Sequence, residues 1–172
     1  MKRLLVLVFL WCGLSGTVNA YDEGDMFTIY LARHAEKESA AEDPRDPLLT
    51  PCGGRRAESL ATLMKDVNLK HVYSTDYLRT RNTALPAASG HGLEVEFYDP
   101  RNLEGFAAAL LAARQNSLVI GHSDTTAVLA GLLAGEVGEE FAEDEYSRLY
   151  LVTVSGDARQ MILLDQAFNC QQ

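Results

Sequence analysis

Hydrophobic and polar positions follow one another along the chain in blocks of strand-like and helix-like periodicity. Residues 26–32 form a nearly continuous run of apolar, β-branched and aromatic side chains, which predicts a buried strand. Thr50 and Pro51 are typical of a helix N-cap and first helical residue, and apolar residues recur at helical spacing after them. Gly53 and Gly54 weaken this helix unless another backbone approaches so closely that glycine is required. The further predicted elements are a strand at 71–74, a helix at 76–89 disturbed by Pro86, a half-exposed strand at 93–98, a helix at 103–114, a buried strand at 117–121, a helix at 125–134 and strands at 149–154 and 158–164.

This alternation of strands and helices predicts one α/β domain over residues 21–172, a three-layer αβα sandwich. The central sheet is expected to be mainly parallel, because helices separate most consecutive strands. The last two strands flank Ser155, Gly156 and Asp157, so they are predicted to form an antiparallel hairpin. Ligands of such sheets bind outside the carboxyl ends of the strands, which is where candidate chemistry is sought below.

The N-terminus has the pattern of a secretory signal peptide. Lys2 and Arg3 precede an unbroken apolar run at residues 4–12, and small and polar residues then lead to Ala20. We predict a signal peptide at residues 1–20 that is cleaved after Ala20. The domain would then be periplasmic or secreted, with no stable membrane anchor. A retained N-terminal anchor is the alternative, although the apolar run is short for a membrane span.

Composition and charge restrict the possible functions. With 47% hydrophobic and 23% charged residues, the chain is typical of a globular domain. A formal charge of −9 and a pI of about 4.8 argue against a nucleic-acid binder or a protein that binds anionic membranes. After export, Cys52 and Cys170 would remain, either as a disulfide or as two separate thiols. The histidines and cysteines do not have the spacing of a zinc site.

Basic side chains follow three of the predicted strands. Arg33 and His34 come directly after the first strand, Arg79 lies shortly after the strand at 71–74, and His122 follows the strand at 117–121. The carboxyl ends of parallel strands meet at one edge of a sheet, so these four side chains are expected to converge. Paired arginine N–H groups match phosphate oxygens, and an imidazole there can act as nucleophile, acid or base. The pattern predicts a cationic pocket for a small oxyanion.

The segments that carry these residues resemble the histidine phosphatase superfamily, the phosphoglycerate mutase-like proteins. Residues 31–37 (LARHAEK) resemble its Arg-His signature, and residues 50–57 are similar to the L-T-x-x-G helix that follows. Residues 74–84 (STDYLRTRNTA) resemble the segment of the second arginine, and residues 121–125 (GHSDT) resemble the second histidine motif. The four segments occur in the family's order, and the resemblance covers residues 26–164.

The resemblance implies a role for each matched residue. His34 would attack phosphorus and carry a phosphohistidine intermediate, with its other ring nitrogen held by a backbone carbonyl. Arg33, Arg79 and His122 would bind the phosphoryl oxygens of a small phosphorylated substrate. The implied activity is hydrolysis of phosphomonoesters or phosphohistidine, without a metal or other cofactor, because side chains can supply the positioning and the charge.

The proton donor for the leaving group is left open. The candidates are Glu104, Asp124 and Glu36. Each also has a structural explanation: Glu104 as an exposed glutamate of a helix, Asp124 as a helix cap, and Glu36 as a loop carboxylate paired with Lys37.

Two other functions also stay open. One is a non-catalytic relative that binds phosphorylated ligands or a partner. The other is a phosphatase specific for lipopolysaccharide core heptose phosphate, because residues 33–37 are similar to the motif of such enzymes.

Overall fold

A computed structural model describes residues 26–170 of the chain. The predicted signal peptide and its cleavage site lie outside the described residues, as do residues 21–25 of the predicted domain. Within the described part, no helix has the length and apolar character to cross a membrane.

Ten elements alternate along the chain much as the sequence predicts. They are β1 (Met26–Arg33), α1 (Pro51–Met64), β2 (His71–Ser74), α2 (Leu78–Gly90), β3 (Val95–Phe97), α3 (Leu103–Ala113), β4 (Ser117–Gly121), α4 (Ser123–Ala134), β5 (Arg148–Ser155) and β6 (Ala158–Asp165). The six strands form one sheet in the order β3-β2-β4-β1-β5-β6. The pairs β3–β2, β2–β4 and β4–β1 are parallel, whereas β1–β5 and β5–β6 are antiparallel. The predicted mainly parallel sheet with a terminal hairpin is therefore confirmed.

Two apolar cores make this a three-layer αβα sandwich, because successive side chains of a strand point to opposite faces of the sheet. Ile29 and Leu31 of β1 pack with buried residues of α3 and α4 on one face. Leu118 and Ile120 of β4 pack with buried residues of α1 and α2 on the other. The central strands are thus covered on both sides, which explains their nearly continuous apolar sequences.

Three elements begin two residues away from their predicted starts. The strand predicted at 93–98 shortens to β3, an edge strand that pairs only with β2 and leaves Phe97 exposed. The helix predicted at 76–89 begins at Leu78 and contains Pro86 within its span. The helix predicted at 125–134 begins two residues earlier, at Ser123.

The start of α1 is held against the loop that follows β1. Thr50 caps the helix as predicted, since its Oγ1 accepts the N–H of Gly53 at 3.0 Å. A Cβ at Gly53 would collide with the backbone carbonyl of Glu36, which explains this glycine. The close-approach explanation is wrong for Gly54, around which a Cβ would have open space.

The structure decides the state of the two cysteines that the sequence left open. Cys52, in the first turn of α1, and Cys170 form a disulfide, with their Cα atoms 5.5 Å apart. The bond ties the end of the described chain to the same region, beside the loop after β1. Cys170 Sγ also lies 3.0 Å from Glu36 Oε1.

Candidate active site

A pocket of about 460 Å³ opens at the carboxyl ends of β1 and β4 and beside the start of α2. It is lined by all four residues that the sequence predicted to converge, Arg33, His34, Arg79 and His122. The sheet topology explains this convergence, because β2, β4 and β1 are parallel neighbours and end at one edge. The pocket is further lined by Lys37, Tyr77, Pro100, Arg101, Ser123, Asp124, Thr125 and Glu143.

His34 is held in one orientation at the end of β1. Its backbone N–H donates to the carbonyl of Gly121 at 2.9 Å, which ties the residue to the end of β4. Its ring Nδ1 lies 2.8 Å from the carbonyl oxygen of Ala35, and since a carbonyl only accepts, Nδ1 carries the proton. Burial, together with the positive charges of Arg33 and Arg79, lowers the pKa of His34 to about 3. At neutral pH the ring is therefore uncharged and Nε2 keeps its lone pair.

His122 faces His34 from the N-terminal end of α4. The two ring centroids are 5.6 Å apart in an edge-to-face arrangement. The ring Nε2 of His122 lies 2.9 Å from Thr75 Oγ1, and the backbone N–H of His122 donates to Thr125 Oγ1 at 3.0 Å. Burial and the charge of Arg79 lower the pKa of His122 to about 4. The positive end of the α4 dipole at this position favours an anion in the pocket.

Arg33 is almost fully buried and is anchored by the segment 142–145. Its Nη1 donates to the carbonyls of Ala142, Glu143 and Glu145 at 3.0, 2.8 and 3.2 Å. Its Nη2 donates to the carboxylate of Glu143 at 3.1 Å. The guanidinium also lies 4.4 Å from the centre of the Tyr146 ring. Tyr146 thus packs against a pocket residue, and its ring centroid is 6.2 Å from that of His34.

Arg79 lies in the first turn of α2 and also lines the pocket. Its Nη1 donates to the carbonyl of Arg45 at 3.2 Å and lies 3.7 Å from a carboxylate oxygen of Asp46. The guanidinium stacks 4.5 Å from the centre of the Tyr77 ring. Burial lowers the pKa of Arg79 from its ordinary value. These contacts fix the direction of the side chain.

The three carboxylates predicted as candidate proton donors lie in different places. Asp124 is exposed in the first turn of α4 and lines the pocket. Glu104 is exposed in the first turn of α3 and lies outside the pocket lining, so the structure does not bring it to the other predicted catalytic residues. Glu36 is engaged by Arg56, whose Nε and Nη2 contact its two oxygens at 2.6–3.0 Å. Glu36 therefore pairs with Arg56 rather than with Lys37.

Thr75 and Glu143 are among the residues of the site that sequence reasoning missed. Thr75 contacts His122 from the loop after β2, and Glu143 contacts Arg33 from the acidic segment before β5. Glu143 lies 110 positions from Arg33 in the chain, between the helix predicted at 125–134 and the strand predicted at 149–154. No local pattern distinguishes it from Glu139, Glu140 or Asp144.

Comparisons with known proteins agree with this architecture. The model of the histidine phosphatase superfamily (branch 1) matches residues 29–101. The protein named probable phosphoglycerate mutase GpmB of Escherichia fergusonii is 36% identical over 80 residues, which cover 44% of this chain and 37% of that protein. The chain thus matches little more than a third of the length of this curated relative.

Solved structures resemble the chain over most of its length. The protein histidine phosphatase SixA complexed with tungstate has a TM-score of 0.67 and 19% identity, covering 81% of this chain and 97% of that one. The α-ribazole phosphatase from Shigella flexneri has a TM-score of 0.66 and 17% identity, covering 80% and 96%. At these identities the likeness concerns the fold.

The order of the motifs, the fold and the matched family model agree in making this chain similar to the histidine phosphatase superfamily. The described part is a single α/β domain that spans nearly the whole length of the SixA structure.

Proposed function

We propose that this protein is an exported, metal-independent phosphatase that hydrolyses phosphomonoesters or phosphohistidine through a phosphohistidine intermediate on His34. The observation that carries the proposal is the state of His34. Its ring is uncharged, its Nδ1–H is bound to a backbone carbonyl, and it lies in one pocket with two arginines. Export rests on the N-terminal sequence pattern alone.

The proposed first step is attack of His34 Nε2 on phosphorus. The P–N bond forms as the bond between phosphorus and the leaving group breaks. Arg33, Arg79 and His122 surround the phosphoryl group and stabilise the negative charge of its oxygens in the transition state. Lys37 and the N-terminal end of α4 add to the positive potential of the pocket.

The proposed proton donor is Asp124, the one carboxylate among the three sequence-derived candidates that lines the pocket. Protonated Asp124 would give its proton to the departing oxygen or nitrogen. In the second step its carboxylate would accept a proton from water, while the water oxygen attacks phosphorus and the P–N bond breaks. Phosphate leaves and His34 returns to its neutral form.

The first test is hydrolysis of p-nitrophenyl phosphate from pH 4 to pH 8 in the presence of EDTA. We expect activity in EDTA, loss of activity in His34→Ala, and retained activity in His71→Ala. His71 is a matched control because it is a histidine outside the pocket, bound to Glu96 and Gln115. An acid-labile, base-stable phosphoryl label that is absent from His34→Ala would support the intermediate. Full activity of His34→Ala would refute the proposal.

A non-catalytic phosphate-binding protein is the second candidate, because Glu36 and Glu104 both lie outside the pocket lining. Binding of inorganic phosphate without turnover of any phosphomonoester would favour it. The hypothesis of a heptose phosphate substrate stays a prediction, to be tested by release of phosphate from purified core oligosaccharide.

A further inference from the structure

Arginine binds a phosphoryl group best through two parallel N–H groups, and Nε–H and one Nη2–H form such a pair. In Arg33 this pair is available only in part. Nη2 donates to Glu143 Oε2 at 3.1 Å, whereas, among the described residues, the buried Nε–H has no acceptor. The side chain that is expected to bind a substrate oxyanion thus already holds a carboxylate on one of its two donors.

The second oxygen of Glu143 occupies another place suited to an anion. Oε1 accepts the hydroxyl of Ser123 at 2.9 Å, and Ser123 is the first residue of α4. The Glu143 carboxylate therefore bridges the arginine and the helix N-terminus, both of which attract anions. These two contacts lower the pKa of Glu143, so the carboxylate is ionised at neutral pH.

The backbone and the side chain of Glu143 are held very differently. The backbone carbonyls around it are fastened to Arg33 Nη1, and Arg148 binds Glu139 at 2.7 Å and Glu145 at 2.8 Å. The Glu143 side chain, by contrast, is 80% exposed. A rotation of this side chain would free Nη2 without moving the segment, and water would solvate the released carboxylate.

We propose that Glu143 is an internal competitor for the phosphoryl site, whose carboxylate occupies one donor of Arg33 until substrate displaces it and returns as phosphate leaves. This inference rests on the proposed function and deepens it. The carboxylate weakens binding of the product, inorganic phosphate, because each phosphate must replace an existing ion pair. Glu143 thereby limits product inhibition while leaving the chemical step to the other residues.

The test measures the Kd of inorganic phosphate by isothermal titration calorimetry for the wild type, Glu143→Gln and Glu143→Ala. Exposed ion pairs are modest, so we expect Kd to fall about three- to fivefold in Glu143→Ala and in the same direction in Glu143→Gln. Asp144→Asn is the matched control, because it removes the same charge one residue away, outside the pocket lining. Its Kd should stay at the wild-type value. The inhibition constant of phosphate against p-nitrophenyl phosphate should fall in parallel with Kd.

An unchanged or higher Kd in both Glu143 variants would overturn the inference, as would an equal fall of Kd in Asp144→Asn. A large loss of kcat for alkyl phosphates with little loss for p-nitrophenyl phosphate would also overturn it, since that pattern identifies a proton donor. Hydrolysis by the wild type separates these failures from failure of the proposed function. A wild type that neither hydrolyses phosphomonoesters nor binds phosphate would refute both.

Discussion

Replacement of Arg56 by methionine removes one half of a buried ion pair beside the nucleophile. The Arg56 side chain is only 9% exposed and that of Glu36 is 17% exposed, so water solvates the carboxylate that remains only in part. Arg56 makes contacts of 2.6–3.0 Å to both Glu36 oxygens. Removing one partner of such a pair costs about 3–5 kcal/mol, because the other charge stays buried and unpaired.

For a chain of this size the loss corresponds to a fall in Tm of roughly 6–20 °C. The measurement is urea and thermal unfolding of wild type, Arg56→Met and Arg55→Met. Arg55 is the matched control, since it is the preceding residue of α1 and is exposed. We also expect a lower kcat/KM for Arg56→Met, because Glu36 lies two residues from His34 and its backbone carbonyl anchors the start of α1 through Thr50 at 2.9 Å.

A double variant separates the ion pair from simple packing. Glu36→Leu combined with Arg56→Met removes both charges, and we expect it to be more stable than Arg56→Met alone. A loss below about 1 kcal/mol in Arg56→Met, similar to that of Arg55→Met, would refute the reasoning, because that is the range of solvent-exposed pairs.

Two further predictions follow from the same region and from the two histidines. Gly53→Ala should destabilise the protein by about 1–3 kcal/mol, because the new Cβ meets the carbonyl of Glu36. Gly54→Ala should be neutral or stabilising by up to about 1 kcal/mol, because its Cβ has open space. Equal unfolding free energies of the two variants would contradict this prediction. The pKa values of His34 and His122, about 3 and about 4, lie below the ordinary 6.5, so the unfolded chain binds more protons between these values. Stability is therefore expected to fall as pH drops below about 6.5 towards 3. From pH 7 to pH 4, the Tm of His34→Gln should fall less than that of the wild type. Identical pH profiles of Tm for the two proteins would count against a buried, neutral His34.

Local sequence signals predicted the elements that depend on neighbouring residues. The apolar run that became β1 needs burial on both faces, and the capping chemistry of Thr50 and Pro51 specifies the start of α1 within one turn. The boundaries of β3 could not be obtained in this way. Its alternating sequence fits a strand, but its place at the edge of the sheet, with one neighbour, restricts it to Val95–Phe97.

The same division holds for the candidate site. Arg33, His34, Arg79 and His122 were predicted to converge because each follows a strand, and the ends of parallel strands share an edge. Glu36 could not be distinguished as a proton donor or an ion-pair partner, since Arg56 reaches it only when α1 packs on the loop after β1. The convergence of the four basic residues thus follows from the succession of strands, whereas the partner of Glu36 depends on how α1 packs.

The sequence by itself determined the succession of strands and helices and the α/β class, because periodicity and capping depend on residues close together in the chain. It also determined the four basic residues of the pocket, because each follows a predicted strand. Tertiary structure alone decided the Cys52–Cys170 disulfide, between residues 118 positions apart, and the contact of Glu143 with Arg33. Such contacts depend on the packing of whole elements, since no local preference of either residue encodes how distant segments meet.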